Sequence, residues 1–497
     1  MKVNIRGAGT IGDGSNASPL ILIDGMEGNM NMLNPNDIES ISVLKDAAAS
    51  SIYGSRAPFG VVLITTKKGK AGKVNINYNN SFRWSEAINL PDVADAYTYA
   101  MYFNKMQLND GKTAVQFDDT RLQAIKDYAS GTITTTTQPN RNTPTIWDWI
   151  GNTNTDWYDV VFGGTAFSQE HSLSVSGGTE KIQYYFSGNY MGQEGMMAIR
   201  RDKLQRYSVS SKINAQLYPW LNMNYSMKYM RKDYSKPTAM TDNTLYQNIA
   251  KRWPMEPTVD PNGYPMGNTI IRPILYGGDN NSQTDWLYQQ FQVVIEPIKD
   301  WKIFGEINYK VIDAFTHTDY LKVPQMNVAG EPYSGDTWKT SKVTEGAERT
   351  NYFNANVYSE YYRSFADAHH LKAMVGFQAE VNKWRQLQAS KLDLISESVP
   401  SINAATGEST IDKSKLTHWA TAGFFGRLNY DYKERYLLEV NLRYDGTSRF
   451  AKDKRWNLFP SFSAGWNVAR EAFMEPTNHI INTLKIRGSW GELGNQN

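Results

Sequence analysis

Two neighbouring stretches, YSVSSKINAQL (Tyr207–Leu217) and LNMNYSMKY (Leu221–Tyr229), decide the fold because each alternates residue by residue. In the first stretch every odd position is apolar or small, whereas the even positions between them are Ser, Ser, Lys, Asn and Gln. Successive side chains of a β-strand point to opposite faces, so each stretch predicts a strand with one apolar and one polar face. The connection between them is short and contains Pro219 and Trp220.

The same alternation recurs from residue 74 to residue 492 and predicts thirteen strands. Besides the two above, they are Val74–Phe82, Phe167–Gly177, Ile182–Tyr190, Phe291–Ile295, Trp301–Val311, Phe353–Tyr361, Leu371–Val381, Phe424–Tyr432, Tyr436–Tyr444, Phe462–Val468 and Leu484–Trp490.

The charged residues separate the two faces. None of the thirteen apolar faces carries Lys, Arg, Asp or Glu. The opposite faces carry Glu170, Lys181, Lys212, Lys302, Glu306, Lys310, Lys372, Glu380, Arg427, Glu439, Arg443, Lys485 and Arg487. This division favours a two-faced sheet, with Val209, Ile213, Tyr225, Ile307 and Leu442 on the lipid side and Lys212, Asn224, Glu306 and Arg443 on the lumen side.

The connections favour a membrane β-barrel over a soluble β-protein, which would alternate as well. Short and long connections alternate between successive strands. Outer-membrane barrels show this pattern, because their short turns lie at one rim and their long loops at the other. An eleven-residue strand tilted by about 40° rises roughly 28 Å, which matches the apolar band of such barrels. Aromatic residues at strand ends resemble interfacial girdles, although cross-strand pairing explains them too: Trp84, Trp220, Trp301, Trp419 and Tyr436.

Composition excludes several classes of protein. The 497 residues carry a net charge of +2, and this lacks the basic excess that is typical of nucleic-acid-binding proteins. The absence of cysteine excludes disulfides, thiolate metal sites and a cysteine nucleophile. No apolar run reaches the roughly 18 residues of a transmembrane helix. No P-loop or HExxH motif is present, and Asp118-Asp119 and Asp260-Pro261-Asn262-Gly263 fit turns better than calcium ligands. The sequence thus singles out no catalytic, cofactor-binding or metal-binding residue.

Residues 1–73 predict a separate mixed α/β unit, and residues 74–497 the barrel. Pro19–Asp24, Ile41–Leu44 and Gly60–Thr66 are expected to be strands. A helix is expected over Asp46–Tyr53, with Asp46 as its N-cap and Gly54 as its stop. A further helix is expected at Val93–Leu108 in the first long loop.

The segment Asn34–Gly69, NPNDIESISVLKDAAASSIYGSRAPFGVVLITTKKG, resembles the plug signature of TonB-dependent outer-membrane transporters of the SusC/RagA family of Bacteroidetes. Val3–Gly7 and Pro19–Gly25 fit the IRG and PL-x-x-IDG elements of that family. The residues that carry the signature are Asn34, Pro35, Asn36, Asp37, Ile38, Glu39, Ser40, Val43, Leu44, Lys45, Asp46, Ala47, Tyr53, Gly54, Arg56, Gly60, Val61, Thr65, Thr66 and Lys67.

The resemblance implies a plug inside a 22-stranded barrel in the bacterial outer membrane. It further implies import of a large nutrient, a glycan or a peptide, driven by the proton gradient. The partners it implies are a SusD-like surface lipoprotein and the TonB–ExbB–ExbD complex, reached through a TonB box. Neither a TonB box nor a signal peptide is visible in the chain, and thirteen strands cannot close a barrel with an even strand number. The chain is therefore expected to be a fragment that lacks the N-terminal part and the second half of the barrel.

Three classes of function follow, namely an active importer, a passive porin or surface-binding protein, and a secreted carbohydrate-active enzyme. A plug argues against the porin, since a diffusion pore needs an open lumen. The uncharged strand faces argue against the secreted enzyme. The plug is expected to meet the lumen wall through polar contacts of its own cations, namely Arg6, Lys45, Arg56, Lys67 and Lys68. Loop aromatics could stack on sugars or form loop cores: Trp147, Trp149, Trp157, Trp253, Tyr264 and Tyr276.

Overall fold

Two β-sheets dominate the computed structural model, which describes residues 19–44, 53, 59–240, 242–266, 270–333, 340–477, 479–492 and 494. Several predictions lie outside these residues. They are the Val3–Gly7 element, the helix expected over Asp46–Tyr53 apart from Tyr53 itself, and the signature residues Lys45, Asp46, Ala47, Gly54 and Arg56.

The small sheet has the strand order β2-β1-β4-β3. Its strands are β1 (Leu20–Ile23), β2 (Met26–Glu27), β3 (Ile38–Leu44) and β4 (Val61–Thr66). β1 runs parallel to β4 and β3 runs antiparallel to it, so β4 is flanked on both sides. Ile23, Val62 and Ile64 form a buried core between the strands. The three strands expected here are confirmed, and β2 was not anticipated.

The large sheet has thirteen strands, each antiparallel to its neighbour in chain order. They are β5 (Gly72–Ser85), β6 (Ala166–Gly178), β7 (Ile182–Glu194), β8 (Lys203–Tyr218), β9 (Leu221–Pro237), β10 (Asp279–Ile298), β11 (Trp301–Tyr320), β14 (Lys342–Phe365), β15 (His369–Leu392), β16 (Ser409–Tyr432), β17 (Tyr436–Thr447), β18 (Trp456–Asn467) and β19 (Lys485–Gly491). Each predicted strand corresponds to one of these. Between β11 and β14, β12 (Gln325–Met326) and β13 (Pro332–Tyr333) form a separate hairpin.

The two faces of the large sheet differ as the alternation predicts. Val209, Ile307 and Leu442 leave nearly half of their surface exposed on one face. On the other face, Lys212 contacts the small sheet and Arg443 is buried. We call the face that carries Lys212 the inner face.

Two of the short connections turn tightly without glycine. Ala366 and Asp367 link β14 to β15 with φ of 51° and 52°, and Lys433 and Glu434 link β16 to β17 with φ of 54° and 55°. Such paired left-handed residues match the twist of the strands that they join. The connection after β18 contains two 3-10 helices, at Val468–Arg470 and Ala472–Thr477.

The long connections form a layer of helices with their own cores. The helices are Ala96–Asn109, Asp119–Ala129, Trp157–Phe162, Asp242–Ala250 and Ile271–Tyr276. Asp118 caps the second helix by accepting from the Arg121 backbone N–H, and Asp260 closes a turn by accepting from those of Asn262 and Tyr264. The turn predicted at Asp260–Gly263 is confirmed, whereas Asp118 and Asp119 begin a helix instead of lying in a turn. Among the described residues, no helix is both long and apolar enough to span a membrane.

Candidate functional site

The small sheet is attached to the inner face of the large sheet through Asp24, which follows β1 in the turn Asp24–Gly25. Thr66 at the end of β4 donates its backbone N–H and its hydroxyl to the two carboxylate oxygens, at 2.9 and 2.6 Å. These two bonds hold the carboxylate in place from within the small sheet.

Two lysines of the large sheet complete the contact. Lys212 Nζ lies 3.0 Å from Asp24 Oδ1, and Lys228 Nζ lies 2.5 Å from Asp24 Oδ2. The two lysines belong to the adjacent strands β8 and β9, and the Asp24 side chain is only 7% exposed. Burial alone would raise the pKa of Asp24, but the ammonium groups of Lys228 and Lys212 outweigh it and lower the pKa to about 2.

A second attachment uses neutral donors. Asn34 caps the short 3-10 helix Pro35–Asp37 and also donates its side-chain amide to Ser172 Oγ at 2.8 Å. Asp37, buried at the end of this helix, accepts from Tyr185 OH and Ser187 Oγ, each at 2.7 Å. The NPND turn of the signature therefore binds β6 and β7 directly.

Backbone contacts extend the attachment. Gln290 Nε2 donates to the Asp24 carbonyl at 2.9 Å. Gly69 lies so close to β7 that a Cβ atom there would approach the Tyr184 backbone nitrogen to 2.4 Å. Only glycine fits at this position without moving one of the two backbones.

The contact also has an apolar part. Met26 and Met32 from the first unit pack with Met230 and Tyr288 of the large sheet in one buried cluster. The prediction that the plug meets the wall only through polar contacts of its own cations was therefore wrong in two respects. The two cations of the Asp24 pair come from the large sheet, and thioether and aromatic groups share the contact. Of the five predicted cations, Lys67 and Lys68 are exposed and the other three lie outside the described residues.

A cavity of about 490 Å³ separates part of the small sheet from the inner face. Asp24, Tyr53 and Gly69 line one side of it, and Lys212 and Asn224 line the other. Within the described residues, no group of three His, Asp or Glu side chains comes together as a metal site would require.

The aromatic residues of the long connections mostly pack among themselves. Trp253 packs against Trp149 with ring centroids 4.9 Å apart and the rings tilted by 58°, and Trp157 donates its indole N–H to the Trp253 carbonyl at 3.1 Å. These three belong to the loop cores, whereas Tyr264 and Tyr276 are exposed.

Comparison with known families matches both sheets. The profile of the TonB-dependent receptor plug domain matches residues 1–61, and that of the TonB-dependent receptor-like β-barrel matches residues 227–495. The chain belongs to the TonB-dependent receptor family. The small sheet is accordingly its plug, and the inner face of the large sheet is the wall that surrounds the plug.

Curated relatives match the whole chain. The TonB-dependent receptor SusC of Bacteroides thetaiotaomicron is 29% identical, over 100% of this chain and 48% of the relative. The TonB-dependent receptor P39 of Formosa agariphila is 27% identical, over 100% of this chain and 44% of the relative. The chain thus spans about half the length of these relatives, and it is a SusC-like member of the family.

Solved structures share the fold. The RagAB peptide transporter superposes with a TM-score of 0.82 at 23% identity, covering 100% of this chain and 56% of the other. The closed–closed state of the RagAB peptide importer gives a TM-score of 0.79 at 23% identity, covering 97% of this chain and 54% of the other.

The predicted signature residues divide into those that touch the wall and those that do not. Asn34, Asp37 and Thr66 make wall contacts, and Val61 lies in the plug core. Most of β3 is exposed. Sequence reasoning missed Asp24, Lys212, Lys228, Tyr185 and Ser187 as site residues. The available signal for Lys212 and Lys228 was that each is the single charged residue among Ser, Asn and Gln on the polar face of its predicted strand.

Proposed function

We propose that this chain forms the plug and part of the barrel of an active importer that moves a large nutrient across the bacterial outer membrane. The observation that carries the proposal is the attachment of the plug. A carboxylate held by two wall lysines, beside hydroxyl contacts, keeps the plug in place, yet polar contacts of this kind can be exchanged for water. Among the described residues, remodelling a plug held this way exposes the small apolar cluster of Met26, Met32, Met230 and Tyr288 but no large hydrophobic core.

The proposal divides the chain into a plug over residues 1–73 and a barrel over residues 74–497, inserted as a multi-pass β-barrel. The TonB–ExbB–ExbD complex would supply the pull on the plug, and a SusD-like lipoprotein would cover the outer mouth. The substrate is a glycan, an oligosaccharide or a peptide. SusC-like sequence supports this class, and RagAB, whose fold the chain shares, is described as a peptide importer.

The first test measures uptake by the protein expressed from its native gene, in whole cells, with and without a protonophore. Active import predicts that uptake stops when the proton gradient is collapsed. Uptake that continues unchanged would refute active import and support a passive porin, the alternative function.

The second test locks the plug. The chain has no cysteine, so Asn34→Cys with Ser172→Cys would place one disulfide between plug and wall, where the native side chains lie 2.8 Å apart. Oxidation should stop uptake and reduction should restore it. The control pair is Val209→Cys with Tyr229→Cys, opposite residues on the outer face, and it should import in both states. Equal uptake by the oxidised and reduced plug–wall pair would contradict plug remodelling.

A further inference from the structure

A single row of hydrogen-bonding side chains crosses the inner face at right angles to the strands. Each member lies directly opposite the next on the neighbouring strand, so all of them share one face. From β7 to β14 the row consists of Gln183, Asn214, Asn224, Gln292, Glu306 and Asn356. Five of these six side chains are amides. We call this row the amide row.

The amides of the row bond to one another and converge on the single carboxylate. Asn214 donates to Asn224 at 2.5 Å, Asn224 donates to Gln292 at 3.1 Å, and Gln292 donates to Glu306 at 3.1 Å. From the other direction, Asn356 donates to Glu306 at 3.4 Å. The row is therefore one connected polar strip over β8 to β14.

The row climbs the wall as it crosses it. Gln183 is one residue from the short-turn end of its strand at Ile182, whereas Asn356 is nine residues from the short-turn end of its strand at Phe365. Eight residues of strand correspond to about 26 Å. Because barrel strands are tilted, a row perpendicular to them rises along the barrel axis. The strip joins the short-turn rim to the middle of the wall.

The lower part of the row faces the cavity beside the plug. Gln183, Asn214, Asn224 and Gln292 all line that cavity of about 490 Å³. Next to the row, Asn308 is 1% exposed and donates to Glu306 at 2.6 Å. Its own amide oxygen, like that of Asn356, is shielded from solvent and has no donor among the described residues. Free space therefore adjoins the lower part of the strip, and unused acceptors lie at Asn356 in its upper part and at Asn308 beside it.

We propose that the amide row is a transit path for a neutral, polyhydroxylated substrate, an oligosaccharide, between the displaced plug and the wall. The inference rests on the proposed function. An amide offers donors and acceptors together, as a sugar hydroxyl does, so each amide–amide bond can be exchanged for an amide–hydroxyl bond. A carboxylate accepts from two adjacent hydroxyls. Because the strip is continuous and uncharged apart from Glu306, a neutral chain can advance along it without losing all its bonds at once.

The experiment replaces the amides in the protein expressed from its native gene. Asn224→Leu with Gln292→Leu keeps the approximate size of the side chains but removes their hydrogen bonds. We expect uptake of a labelled oligosaccharide to fall by roughly tenfold, because lost hydrogen bonds along the path raise the transit barrier. Binding of the oligosaccharide at the cell surface should not change. The conservative pair, Asn224→Gln with Gln292→Asn, should import at close to the native rate.

Single cysteines give a readout that does not depend on the double variant folding. During import, the oligosaccharide should slow thiol labelling at Asn224→Cys, but not at the neighbouring outer-face site Met223→Cys. Native uptake by the double leucine variant, or equal labelling at Asn224→Cys with and without oligosaccharide, would overturn the path. Protection by a peptide but not by an oligosaccharide would also overturn it. These failures leave native uptake dependent on the proton gradient, whereas failure of the proposed function abolishes that dependence.

Discussion

The plug is held at two places that use the same chemical group in different ways. At Asp24 the carboxylate lies between two ammonium groups of β8 and β9. At Asp37 it accepts from one phenol and one hydroxyl of β7, and the described residues place no Lys or Arg within ion-pair distance of it. The Asp24 ion pairs are strong because they are shielded from water, but the loss of the carboxylate leaves both ammonium groups there without a counter-charge. The Asp37 contact can be replaced bond for bond by water.

The largest expected effect follows removal of the Asp24 carboxylate. Asp24→Ala leaves Lys212 and Lys228 shielded without a counter-charge, which should destabilise the seated plug by about 3–5 kcal/mol. Hydrogen exchange of the β1 and β4 amides measures this loss. Arg141→Ala is the control, because the Asp118–Arg141 pair is exposed and lies in the loop layer, so its loss should leave exchange of the β1 and β4 amides unchanged. Adding Lys212→Met and Lys228→Met should recover most of the loss; equal exchange in native protein and Asp24→Ala would contradict the ion-pair account.

Acid should weaken the Asp24 contact next most strongly. The pKa of Asp24 lies at about 2 in the folded plug and at 3.8 otherwise, so this contribution is fully present above pH 3.8. It is lost as the pH falls through about 2, and it amounts to about 2 kcal/mol. Amide exchange of β4 followed from pH 5 to pH 2 should show this loss in the native protein. The difference should vanish in Asp24→Asn, and its survival there would assign the acid effect to another group.

The Asp37 contact should be weaker. Asp37→Ala leaves the Tyr185 and Ser187 hydroxyls buried without their acceptor, at a cost of about 1–3 kcal/mol. Urea unfolding of the plug, followed by exchange at β3 and β4, measures the difference. A larger destabilisation of the plug by Asp37→Ala than by Asp24→Ala would contradict the proposed ranking.

The smallest effect is expected for a single phenol. Tyr185→Phe removes one hydrogen bond to Asp37 and should destabilise the plug by about 1 kcal/mol. Tyr207→Phe, on the exposed outer face, is the matched control and should leave plug exchange unchanged. A loss above about 3 kcal/mol would show that the Asp37 contact acts as a unit rather than as two separate bonds.

Sequence predicted where strands exist better than how far they run. In β10 the expected strand was Phe291–Ile295, whereas the structure extends it over Asp279–Ile298. Toward the long-loop end, outer-face positions such as Gln283 and Asp285 are polar, so the apolar alternation ends while the register with β9 and β11 continues. The alternation of apolar and polar residues therefore indicates where one face of a strand meets apolar surroundings, and it does not indicate how far the backbone pairing extends.

The site was predictable only in part. The NPND turn was singled out as part of the segment that resembles the plug signature, and its Asn34 and Asp37 do contact the wall. Asp24 was expected only as the last residue of the strand Pro19–Asp24. Its partners Lys212 and Lys228 lie 188 and 204 positions further along the chain. No local pattern specifies such a pairing, since it depends on how a separate sheet is seated against the wall.

The length of the middle strands has an electrostatic consequence. β14, β15 and β16 each contain 24 residues. A strand of this length tilted by about 40° rises about 60 Å, roughly 30 Å more than a membrane's hydrocarbon layer requires. At physiological ionic strength a surface potential decays over about 8 Å. With the long loops at the outer rim, the upper edge of the sheet therefore stands several decay lengths above the lipid surface. A charged molecule that meets this edge is screened from the surface potential of the lipid below.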